Sequence, residues 1–138
     1  MKNYSLKKIN NGDIKYFTIS LGLLPGYDLN NDSYSLETIV DAYKGWIQEK
    51  LSEKEISFPG KILTGKFIYG FKDGQKVISN SEDAVEIQGE IIRNYCSEIF
   101  ENDKALLDII TDLAKTLGNT VGQERVHVTF MDDKYILE

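Results

Sequence analysis

His127 is the one imidazole in the chain and Cys96 the one thiol. General acid–base chemistry therefore has to begin at His127, or at a carboxylate whose pKa burial has raised. Apolar and polar residues alternate through Glu124-Arg125-Val126-His127-Val128-Thr129-Phe130. As a strand, this segment puts Arg125, His127 and Thr129 on one face and Val126, Val128 and Phe130 on the other. A second alternating stretch, Ile14 to Leu21, adds Tyr16, Thr18 and Ser20 to the polar face if both lie in one sheet. Val85 to Ile91, read as a strand, adds Glu86, Gln88 and Glu90. A guanidinium offers a planar fork to a carboxylate or phosphate, and paired carboxylates accept hydrogen bonds, so this face suits a small polar or charged molecule. A half-exposed antiparallel sheet also shows such a face with no ligand at all, with Glu–Arg pairs as ordinary cross-strand neighbours.

Other chemistries lack their residues. A tetrahedral zinc site of Cys and His ligands cannot be built from one of each. The phosphate-cradling G-x-x-x-x-G-K-[ST] and the dinucleotide G-x-G-x-x-G are absent, and Pro25 gives Leu21-Gly22-Leu23-Leu24-Pro25-Gly26 the character of a turn. Asp28-Leu29-Asn30-Asn31-Asp32 groups oxygen ligands but lacks the sixth-position Gly of an EF-hand loop, and reads as a solvated loop. Cys96, in an apolar-patterned segment, reads as inert packing. Trp46 reads as the edge of a core, with an interface anchor as the alternative. Lys61, Lys66, Phe67 and Tyr69 are the nearest approach to a stacking platform, and on a sheet such residues mark one core face and one wet face. No cofactor or metal is called for.

Several elements must position these groups. Asn11-Gly12 between Ser5-Leu6-Lys7-Lys8-Ile9 and the Ile14 stretch predicts an N-terminal hairpin, with Phe17, Ile19, Leu21 and Leu23 on its buried face. Ser35 caps a helix over 35–54 whose stripe is Leu36, Ile39, Val40, Tyr43, Ile47 and Leu51. Lys61 to Phe71 and Gln75 to Ile78 form a second hairpin about Asp73-Gly74. Asn102 or Asp103 starts a helix carrying Leu106, Leu107, Ile110, Leu113, Ala114 and Leu117, with Gly118 in the left-handed C-terminal position. Asp132-Asp133 turns the chain into a last strand, Lys134 to Leu137. Residues 82–100 fit two periods: alternation from Val85, or a helix with Ala84, Ile87, Ile91, Tyr95 and Ile99 on one side. The strand reading gives an α+β, two-layer sandwich of ferredoxin-like βαββαβ order with extra hairpins, its largely antiparallel sheet covered by helices on one face.

The 138 residues suit one domain spanning 1–138, and 41% hydrophobic with 28% charged residues is an ordinary globular composition. A net charge of −6 and a pI near 4.9 oppose nucleic-acid binding. No run of about eighteen apolar residues suggests a membrane span. A single cysteine and the lack of an apolar leader suggest the cytoplasm.

So few catalytic groups point to a non-enzymatic binding or regulatory module, its polar sheet face taking a small polar ligand or a protein partner, a second copy included. The alternative is a small enzyme acting on a polar metabolite, with His127 as acid or base, Arg125 orienting an anionic group, and Glu86 or Glu90 completing proton transfer. A further alternative is an acidic inhibitor or antitoxin-like protein that covers a basic target.

Overall fold

A computed structural model describes residues 1–27 and 31–138. Its regular elements are β1 (Ile14–Gly22), α1 (Leu36–Lys54), β2 (Gly60–Asp73), β3 (Lys76–Ile92), α2 (Asp103–Thr120), β4 (Val126–Phe130) and β5 (Asp133–Leu137). The strands form one antiparallel sheet in the order β2-β3-β1-β4-β5.

Alternation does in the structure what it implies in the sequence. Phe17, Ile19 and Leu21 of β1, Val85, Ile87 and Ile91 of β3, and Val126, Val128 and Phe130 of β4 are all buried. They join one apolar cluster with Ile39, Tyr43 and Trp46 of α1 and Leu106, Ile110, Leu113, Ala114 and Leu117 of α2. Both helices thus cover the same face of the sheet. Residues 82–92 belong to a strand of 17 residues. Gly89, which argues against a helix, is required there for packing: a Cβ built on it would stand 2.0 Å from Cζ of Phe17.

Three local expectations are corrected. The N-terminal hairpin does not form: β1 pairs with β3 and β4, and the chain enters it from a 3-10 turn, Asn11–Asp13, whose Gly12 N–H bonds to Oδ1 of Asn10. Short-range turn chemistry is outcompeted by the nine residue pairs that β1 makes with β3. Gly118 lies inside α2, packed on Val126, and Gly122 takes the positive φ of +62° beyond the helix. The buried stripe of α1 is Ile39, Tyr43, Trp46 and Lys50, while Leu36 and Leu51 are exposed. The helix is rotated toward α2 because Asp112 accepts a hydrogen bond from Trp46 Nε1 (2.9 Å) and pairs with Lys50 Nζ (3.1 Å). Ser35 stands at the start of α1 but makes no side-chain cap, whereas Asn102 caps α2 through the N–H of Ala105.

Candidate functional site

The registers lay out the open face of the sheet row by row. One row runs Leu63, Glu86, Ser20, His127, Ile136, and the next Lys61, Gln88, Thr18, Thr129, Lys134. Tyr16 and Glu90 are paired beyond them. Tyr16, Thr18, Ser20, Glu86, Gln88, Glu90, His127 and Thr129 thus share the face turned away from the helices, while Arg125 stands just before β4.

They do not form one site. Ser20 Oγ donates to Glu86 Oε1 (3.3 Å) and Gln88 Nε2 donates to Glu86 Oε2 (3.1 Å), so the sheet itself engages this carboxylate. Thr18 and Thr129 lie opposite one another between β1 and β4. Tyr16 and Glu90 line a shallow concavity with Pro59, Gly60, Lys61, Gln88 and Gly89. Of these residues only Arg125 and His127 reach a cavity of about 600 Å³, which is within the usual size for a small-molecule site.

The other walls of that cavity come from the β2–β3 hairpin. Pairing of β3 with β1 ends at Gly22 and Ala84, while pairing of β2 with β3 runs on from Gly65 and Ala84 to the turn at Asp73 and Lys76. Part of the hairpin thus extends past β1 as a two-stranded arm. Phe67, Ile68, Tyr69 and Phe71 from β2, with Asn80 and Glu82 from β3, line the cavity together with Arg125 and His127. Phe67 and Tyr69, noticed in the sequence as a weak stacking platform, find their place here.

Glu82 is the feature that sequence reading missed. It is only 4% exposed, and its Oε2 has no hydrogen-bond partner among the described residues. Burial raises its pKa above the usual carboxylate value, against the lowering effect of the Leu24 N–H that bonds to it. Gly22 makes the room: a Cβ there would lie 2.6 Å from Glu82 Oε2. A signal was available, since Glu82 has the parity of Glu86 and Glu90. The segment Ser81-Glu82-Asp83 instead resembled the start of a helix. An orphaned buried carboxylate is costly in an empty site, and a bound cation or donor would relieve it.

Among the described residues, no group of three or more His, Cys, Asp or Glu is arranged to hold a metal ion, and no helix is long and apolar enough to cross a membrane. The oxygen-rich run Asp28 to Asp32 falls largely outside the described residues. Trp46 belongs to the core, edge-on to Tyr43 and tilted against Phe58. Cys96 is buried, which pushes its thiol pKa up and keeps it unreactive.

No family model matches the sequence, and no curated protein matches it. Solved structures do. A phage SAM lyase in complex with S-methyl-5′-thioadenosine superposes with a TM-score of 0.64 at 18% identity, covering 97% of this chain and 95% of that one. A phage SAM lyase in the apo state gives 0.62 at 20% identity, covering 96% and 95%. This chain shares their fold. The likeness corrects the expectation of a non-enzymatic binding module, because the solved chains that match end to end are enzymes, and it favours the alternative of a small enzyme.

Proposed function

We propose that this chain is an enzyme that cleaves S-adenosylmethionine and releases S-methyl-5′-thioadenosine, acting in the cavity between the β2–β3 arm and β4. The observation that carries this reading is the meeting of aromatic faces, in one cavity, with a buried carboxylate whose Oε2 has no hydrogen-bond partner among the described residues, on the fold of a SAM lyase. Phe67, Tyr69 and Phe71 offer surfaces on which a purine stacks and against which a sulfonium is attracted. Glu82 supplies the opposite charge, and Arg125 presents a fork to the substrate's carboxylate.

The chemistry explains why few catalytic groups suffice. The released nucleoside keeps its methyl and 5′-thioadenosyl groups, so the bond that breaks joins the sulfonium sulfur to the methionine-derived chain. As the sulfur departs as a neutral thioether, an oxygen of the substrate's own carboxylate bonds to the carbon it leaves and closes a lactone, so the step needs no proton from the protein and no second reactant. A site for this reaction works by binding and orienting the substrate and excluding water, which one imidazole and several aromatic rings can do. Positive charge on sulfur falls as the bond breaks, so Glu82 holds the substrate rather than lowering the barrier, and its loss raises KM without lowering kcat.

This reading also takes residues 1–138 as one domain. Central β1 and β3, each crossed by a helical connection, support a ferredoxin-like core to which β5 is an addition. Retention of a single buried thiol supports a reducing, cytoplasmic setting. The test is direct: purified protein is incubated with S-adenosylmethionine and the mixture followed by liquid chromatography and mass spectrometry. S-methyl-5′-thioadenosine is expected to accumulate in proportion to enzyme. Accumulation no faster than with heat-inactivated protein overturns the proposal.

A further inference from the structure

Residues 1–10 are all exposed and belong to no strand or helix. Tyr4, Leu6 and Ile9 are large apolar side chains at 87%, 103% and 63% exposure. Within this segment Tyr4 and Leu6 are two residues apart, and the hairpin expected to pair Ser5 to Ile9 with the strand that follows does not form. The arm carries Lys2, Lys7 and Lys8 and no acidic residue, although the chain as a whole is at −6. A basic arm without secondary structure is thus attached to an acidic body.

The two edges of the sheet differ as receivers. β2 is one edge and carries Lys61, Lys66 and Lys72 against Asp73 alone, so it repels such an arm. β5 is the other edge, bonded only to β4, and it is flanked by Asp132, Asp133 and Glu138 with a single Lys134. Its Tyr135 and Leu137 pair with Val128 and Val126, which places them on the helix-covered face, and Tyr135 is 39% exposed. In an extended arm Tyr4 and Leu6 share one face at the same two-residue spacing.

From these observations we infer that the N-terminal arm of one copy adds as a sixth strand to the outer edge of β5 in a second copy. Tyr4 and Leu6 extend the apolar face beside Tyr135 and Leu137, and Lys7 and Lys8 meet Asp132 and Asp133. Strand addition satisfies the unpaired backbone groups of the β5 edge, which otherwise face water as a template for association. Each copy donates one arm and receives one, so the assembly is a reciprocal pair, a ring or an open chain according to the angle between copies. The inference does not rest on the proposed reaction.

Light scattering on the full chain tests it at low and high salt. The unaltered protein is expected to show the mass of two or more chains at low salt, with dissociation favoured by salt. The double variant Lys7→Glu with Lys8→Glu is expected to raise the dissociation constant at least tenfold, and adding Asp132→Lys with Asp133→Lys is expected to restore it. A single-chain mass for the unaltered protein, or an assembly indifferent to these reversals, overturns the inference. Docking within one chain is separated by mixing chains carrying Lys7→Cys with chains carrying Ile136→Cys and adding a short bis-maleimide. A cross-linked dimer of the two species supports the inference; cross-linking only when both cysteines are in the same chain overturns it.

Discussion

The carboxylate of Glu82 lies over the bare α-carbon of Gly22, so close that a methyl group there would meet Oε2 at 2.6 Å. A strand residue without a side chain thus defines where a buried carboxylate sits, and Glu82 lines the cavity that Arg125 and His127 also reach. Gly22→Ala is expected to displace the carboxylate from its pocket and from the Leu24 N–H. Steady-state assays should show KM for S-adenosylmethionine rising about tenfold, equivalent to about 1.4 kcal/mol of binding, with kcat changed much less. An unchanged KM would show that the position of Glu82 is immaterial to binding.

Glu82→Gln separates binding from stability. Because the folded state raises the pKa of Glu82, the native protein holds a proton that the unfolded chain releases, and stability declines as pH rises from about 4.5 through the elevated folded value. Gln removes that penalty. The variant is expected to melt a few degrees higher than the parent at pH 7–8, with the difference vanishing near pH 4, while losing affinity for the cationic substrate. Calorimetry across this range checks the sign; a variant less stable at pH 8 than at pH 4, relative to the parent, contradicts it.

Gly89→Ala tests the junction of β1 and β3. The added methyl would stand 2.0 Å from Phe17 Cζ, and that ring is 1% exposed with no room to retreat. Overpacking of this kind costs about 1–3 kcal/mol or more. Chemical denaturation should show a lower midpoint, and the companion change Phe17→Leu should recover part of the loss.

Asp112 ties α1 to α2 through Trp46 and Lys50. Its pKa is held below the usual value, first by the Trp46 hydrogen bond and then by Lys50, and the Lys50 pKa is raised chiefly by its bond to Asp112. The carboxylate's contribution to stability is present above about pH 3.8 and lost as pH falls through its lower folded pKa. The lysine's is present below about 10.5 and lost at still higher pH. Asp112→Ala leaves a nearly buried ammonium and an indole N–H without their partner. It is expected to cost about 1–3 kcal/mol at neutral pH by urea denaturation, whereas Lys50→Met should cost less, because the site is then left without an unpaired cation.

Much of the fold was legible because alternation and helical spacing are local. Val126, Val128 and Phe130 had to face a core, and Arg125, His127 and Thr129 had to face away, whatever lay next to them. The helical stripe of α2 and the turn at Asp73-Gly74 follow for the same reason. Where two periods fitted, at residues 82–100, local information ran out: the strand won as far as Ile92 through pairing with β1 on one side and β2 on the other, and a 3-10 turn, Arg93–Tyr95, follows it. The orientation of α1 was misread because its deciding contact is a carboxylate 62 or more residues away, on α2.

The site was legible only in halves. Sequence alone pointed to an acidic α+β chain with a polar sheet face, and it contains neither G-x-x-x-x-G-K-[ST] nor G-x-G-x-x-G. It did not decide which members of that face share a cavity, that Phe67, Tyr69 and Phe71 line it with them, or that Glu82 is buried with one carboxylate oxygen unpaired among the described residues. Those depend on how far the β2–β3 hairpin runs past its neighbour and on where a glycine leaves space, and both are properties of strands distant in the chain and adjacent in the sheet.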